Sequence, residues 1–74
     1  MFIVVKTMGT TTRILEIDPD ATVLELKIEI SKILNITIQQ QFLMYKGLKM
    51  TENNTLRDEG VIENSTVHLL MSLV

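Results

Sequence analysis

Cysteine is absent from this chain, so no disulfide can staple the fold and no thiolate can act as a nucleophile or a metal ligand. That absence suits a reducing, cytoplasm-like compartment. Tryptophan is absent too, and Phe2, Phe42 and Tyr45 are the only aromatic residues, which disfavours base stacking and sugar binding. There is one proline and there are three glycines, so turns are few. The seven basic residues are scattered and the net charge is −2, a pattern without the clustered Lys and Arg of a nucleic-acid surface. No run of about 18 apolar residues is present to cross a membrane as a helix. Met1 leads straight into Phe2-Ile-Val-Val, too short for the core of a secretory signal.

Apolar residues are plentiful. They make up 46% of 74 residues, enough for a dense core in a single small domain spanning 1–74. Residues 1–7 alternate as a strand, with Met1, Ile3 and Val5 on one side and Phe2, Val4 and Lys6 on the other. Gly9 then marks a hairpin turn. Residues 11–17 form a second strand with less clean faces: Arg13 and Ile14 are on unexpected parities, which leaves its register open. Pro19 stops the sheet. Thr22 with Glu25 makes a capping box for a helix over about 23–34, whose Val23, Leu26, Ile30, Ile33 and Leu34 share one stripe. Asn35 fits the left-handed stop, with Ile36 folding back after it.

A third strand over 39–45 puts Gln41, Leu43 and Tyr45 inside and Gln40, Phe42 and Met44 outside, so a buried Gln41 needs hydrogen-bond partners. A short edge piece follows at 48–50. Thr55 and Asp58 cap a short helical turn at about 56–59, which Gly60 ends, and residues 66–74 are the last strand. The sum is an α+β domain: a mixed sheet of four to five strands with one helix crossing it.

Met1, Ile3, Val5, Lys6 and Thr7 resemble the start of ubiquitin, and Leu15-Glu16 with Pro19 resembles its next conserved stretch. Lys27, Ile30, Ile36, Gln40, Gln41, Leu43, Gly47, Thr55, Leu56, Asp58, Ser65, Thr66, His68, Leu69 and Leu73 also match in one ungapped register along the whole chain. The resemblance to the ubiquitin-like β-grasp family implies that the first and last strands pair in parallel at the sheet centre. It implies that the helix packs on one sheet face, and that Lys27 is partly buried and needs a carboxylate.

The same resemblance implies losses. The family continues into a tail ending in two glycines, and Ser72, Val74 and Phe42 occupy positions where the family has arginines that contact the activating enzyme. Leu48 and Glu63 replace the two lysines most used for linkage, and Thr11, Glu29 and Ile33 replace three more, leaving Lys6 and Lys27. A non-conjugating, non-catalytic domain without cofactor or metal is therefore expected. Its family-like binding patch comprises Met8, Met44, His68 and Leu70, surrounded by Lys6, Phe42, Gly47 and Leu48.

Each feature also has a plain reading. Outward strand positions often go apolar without function, and Leu24, Ile28, Phe2, Ile38, Leu48 and Met50 spread apolar character widely. His68 without further ligands is a patch-rim residue rather than a metal ligand. Asp18 with Asp20, and Asp58 with Glu59, read as loop caps. The three Asn-X-Thr matches at Asn35, Asn53 and Asn64 are chance in a chain with no secretory signal. The pattern favours an engineered sequence on the ubiquitin backbone, a monomer with no evolved activity and some tendency to self-associate. The alternative is a natural interaction domain for ubiquitin-associated domains or proteasomal receptors.

Overall fold

The computed structural model describes residues 1–9 and 11–71. The expected final stretch of the last strand, 72–74, lies outside the described residues, as do the substitutions at Ser72 and Val74.

Five strands form one mixed sheet in the order β2-β1-β5-β3-β4. They are β1 (Phe2–Thr7), β2 (Thr12–Glu16), β3 (Gln41–Tyr45), β4 (Leu48–Lys49) and β5 (Thr66–Met71). One helix, α1 (Val23–Leu34), crosses it. β1 and β5 are parallel, and the other three pairings are antiparallel. Ile3 and Val5 of β1, Val67 and Leu69 of β5 and Leu43 of β3 all turn to one side. There they share a core with Val23, Leu26 and Ile30 of α1 and with Leu56 and Met50. The opposite, outer face carries no helix.

Local chemistry sets the helix ends. Thr22 Oγ1 accepts from the Glu25 N–H at 3.1 Å, and Glu25 Oε1 accepts from the Thr22 N–H at 3.1 Å, so the expected capping box is formed. The orphan N–H groups of Val23 and Leu24 donate to the carbonyls of Asn54 and Glu52 in the loop after β4, at 2.9 and 3.2 Å. Asn35 ends the helix in the left-handed conformation, at φ +56°.

Two buried polar side chains tie α1 to the rest. Lys27 is 6% exposed, and its Nζ donates to Glu52 Oε2 at 2.7 Å, supplying the carboxylate it needs. Gln41 donates through Nε2 to the Lys27 carbonyl at 2.8 Å, while its Oε1 has no partner. A hydroxyl pair closes the far loop: Tyr45 and Ser65 meet at 3.0 Å, and Ser65 Oγ also accepts from the Ile62 N–H at 2.9 Å.

Several expectations need correcting. Ile33 is not part of the core stripe and is 43% exposed, because it sits at the flank of α1 where the sheet no longer covers it. Met50 is not a surface residue. Its N–H donates to the Leu43 carbonyl at 2.9 Å as the chain leaves β4, and its side chain is buried. Residues 38–40 form a 3₁₀ turn rather than the start of a strand, since Gln40 Oε1 turns back to accept from the Thr37 N–H and hydroxyl. At 56–60 the expected single turn is formed, with the Glu59 N–H reaching the Thr55 carbonyl and the Asp58 N–H donating to Thr55 Oγ1 as a cap. The register of β2 is unshifted: Val4 faces Ile14 and Val5 faces Arg13. Ile14 therefore lies on the outer face at 70% exposure, and Arg13 takes an inward position at the open edge, where it stays exposed.

Two stability predictions follow from these contacts. Thr22→Ala removes an acceptor for a helix N–H and should cost about 1 kcal/mol in chemical denaturation. The Lys27 ammonium, through its hydrogen bond and then its charge, holds the Glu52 carboxyl below its ordinary range, with a smaller contribution from Lys49. A carboxyl lowered on folding stabilises above its unfolded pKa and loses that contribution as pH falls through the folded value. Glu52→Gln should thus be less stable than the parent at neutral pH, and denaturation midpoints of the two should converge as pH drops through and below the carboxylate range.

Candidate functional site

The outer face is built by strand register. Lys6 on β1 is beside His68 on β5, His68 is beside Met44 on β3, and Met44 is beside Lys49 on β4. One row thus crosses four strands as Lys6, His68, Met44, Lys49. Directly opposed residues in a ladder share a face, so all four project away from α1. The neighbouring pair, Phe42 and Leu70, extends the row along the strands. Met44 and Leu70 are half-buried, Phe42 is 40% exposed, and Lys6 and His68 are exposed.

Of the eight residues picked from sequence, Lys6, Phe42, Met44, His68 and Leu70 share this face. Gly47 joins from the β3–β4 turn. That turn has Lys46 at φ +52° and Gly47 at φ +80°, the two-residue type that matches strand twist. Leu48 is exposed at the sheet edge opposite Tyr45, whose side chain points inward. Met8 lies in the β1–β2 loop, 74% exposed. It lines a groove of about 260 Å³ with Leu34, Ile36, Leu69 and Met71.

Sequence reading missed Lys49. Its ammonium lies 4.6 Å from the centroid of the Phe42 ring, so the stem covers apolar surface while the charge rims it. Strand alternation gives little warning in a strand of two residues. The apolar surface continues toward β2: Val4, expected on this side with Phe2 and Lys6, is paired there with Ile14.

Both signs of charge reach this face: Lys6 and Lys49 flank the apolar row, and Glu16, opposite Phe2, stands on the same side at the far end of β2. Lys6 and Lys49 form no ion pair among the described residues, and Lys46, in the β3–β4 turn, has its ammonium 5.4 Å from the centroid of the inward Tyr45 ring. Glu16, Asp18, Glu25 and Glu29 line a recess beside the start of α1. Several carboxylates serve as loop ties, as expected. Asp18 Oδ1 accepts from the Asp20 N–H at 2.8 Å, Asp20 takes the Arg57 Nε at 2.9 Å, and Glu59 accepts from the Asn54 amide at 2.8 Å. The face is thus a half-buried apolar strip flanked by Lys6 and Lys49, on the side of the sheet away from α1.

A model of the ubiquitin family, described as such, matches residues 3–74. The chain is 33% identical over 70 residues to Large proline-rich protein bag6 of Xenopus tropicalis, a match covering 95% of this chain and 6% of that protein. The chain therefore spans a small fraction of the length of the curated relative it matches. With sheet order, crossing helix and matched span all in agreement, this chain belongs to the ubiquitin family.

Proposed function

We propose that this domain is a non-catalytic protein-interaction module whose outer sheet face receives a partner helix. The observation that carries the reading is the row Lys6, His68, Met44, Lys49 with the Phe42–Leu70 pair beside it, on the face that α1 leaves open. Phe42, Met44 and Leu70 supply apolar surface for anchors spaced three or four residues apart on a helix. The thioether of Met44 adapts to anchors of different shape. Lys6 and Lys49 select for carboxylates on that helix and speed its approach. Ubiquitin-associated domains and proteasomal receptors are the partner class, and no nucleic acid, membrane or cofactor enters the reading. In the Xenopus tropicalis relative the matched segment is a small part of a much longer chain, which supports a module.

A second reading has its own support. Exposed apolar side chains also stand off this face: Leu48 at the edge, Ile33 on α1 and Ile62 in the loop before β5. That spread favours an engineered sequence made for foldability on the ubiquitin backbone, a monomer with no evolved partner.

Titration of ¹⁵N-labelled protein with a ubiquitin-associated domain separates the two. Under the interaction reading, saturable shifts centre on Phe42, Met44, His68 and Leu70. Met44→Ala and Leu70→Ala each then weaken binding by about 1–2 kcal/mol without unfolding the domain. Dispersed spectra that ignore the partner favour the scaffold reading.

A further inference from the structure

Five methionines are distributed very unequally over this fold. Met50 is 2% exposed and belongs to the core, and Met1 packs partly buried against it. Met44 is half-buried in the outer row. Met8 and Met71 are the exposed ones, at 74% and 44%. They reach the same groove from different elements, Met8 from the β1–β2 loop and Met71 from the end of β5. Between them the groove is lined by Leu34, Ile36 and Leu69. Two accessible thioethers thus share one small apolar recess, while the core thioether is shielded.

We propose that Met8 and Met71 form a paired methionine-oxidation site, which a hydroperoxide converts from an apolar to a polar groove without unfolding the domain. The chemistry balances with one peroxide per sulfur. The thioether sulfur attacks the peroxide, the O–O bond breaks, an S–O bond forms, and water leaves when the peroxide is hydrogen peroxide. Sulfur is oxidised by two electrons and the peroxide is reduced by two. Susceptibility follows access, so Met8 and Met71 react ahead of Met50. Each sulfoxide replaces a flexible apolar group with a polar, chiral one. Here two such groups would face Leu34, Ile36 and Leu69. Leu69 is the core residue that reaches this lining, whereas Ile3, Val5, Leu26 and Leu43 are not part of it, so most of the core keeps its packing. The change is reversible. A methionine sulfoxide reductase removes the oxygen as water at the expense of two thiols, with one enzyme for each sulfoxide epimer. The site does not depend on the outer-face partner proposed above, since the groove lining includes neither Met44 nor His68.

The test uses the full chain with ¹³C-methyl methionine, treated with hydrogen peroxide and followed by NMR and peptide mass spectrometry. Met8 and Met71 should be consumed first and Met50 last. Signals of Leu34, Ile36 and Leu69 should shift in step with them, while the amide spectrum stays dispersed. A mixture of reductases for both epimers should restore the starting spectrum. Loss of Met50 in step with Met8 would mean that oxidation proceeds through unfolding, and would overturn the proposal. So would groove signals that stay in place after both sulfurs have reacted. Met8→Leu with Met71→Leu keeps volume and apolarity and should abolish the peroxide response at Leu34, Ile36 and Leu69. A response that persists in that variant assigns the effect to another thioether and also overturns the proposal.

Discussion

The parallel pairing of β1 with β5 is the constraint from which the rest of the molecule follows. A tight turn cannot join parallel neighbours, so nearly the whole chain must lie between them. That length is used to carry α1 across one face and to return β3 and β4 on the far side of β5. The two central strands contribute Ile3, Val5, Val67 and Leu69, all essentially without solvent contact. The same pairing aligns Lys6 with His68, and through β3 it aligns His68 with Met44. Core and outer surface are thus two sides of one register, and a slip of one residue would exchange them.

The loop after β4 is the second organising element. It supplies carbonyls to the first two free N–H groups of α1 and the carboxylate that neutralises buried Lys27. Backbone and side chain of Glu52 therefore serve the same helix, one at its end and the other along its length. Gln41, reaching the Lys27 carbonyl from β3, holds that helix from the sheet side. The helix is secured by polar contacts from two directions, in addition to its apolar stripe.

Much of this was legible in the sequence. The Thr22–Glu25 box, the Asn35 stop, the parity of β1 and β3 and the burial of Gln41 follow from local rules, while the burial of Lys27 was implied only by the family resemblance, and the structure shows each of them. What escaped was decided by contacts between distant residues. Ile33 fits the helical stripe by angle, but the sheet does not extend beneath it. Met50 follows a strand of only two residues, too short for alternation to assign a side. The 3₁₀ turn at 38–40 depends on the Gln40 amide turning back on Thr37, which a run of three glutamines does not announce. For the candidate face, Lys6, Phe42, Met44, His68 and Leu70 follow from strand parity. Met8 and Leu48 sit in a loop and at an edge, where parity gives no guidance, and Lys49 owes its place to the ring it covers.

Arg13 has a consequence for how copies of this domain meet. β2 is the open edge of the sheet, five residues long, with no proline and with Ile14 exposed beside Val4. Such an edge invites a strand from another chain to extend the ladder. Arg13 stands at an inward position in that strand, opposite Val5. A strand added alongside would continue the inner face over its guanidinium and strip it of water with no carboxylate to receive it. A strand that docked on this edge would therefore carry the cost of burying that one charge.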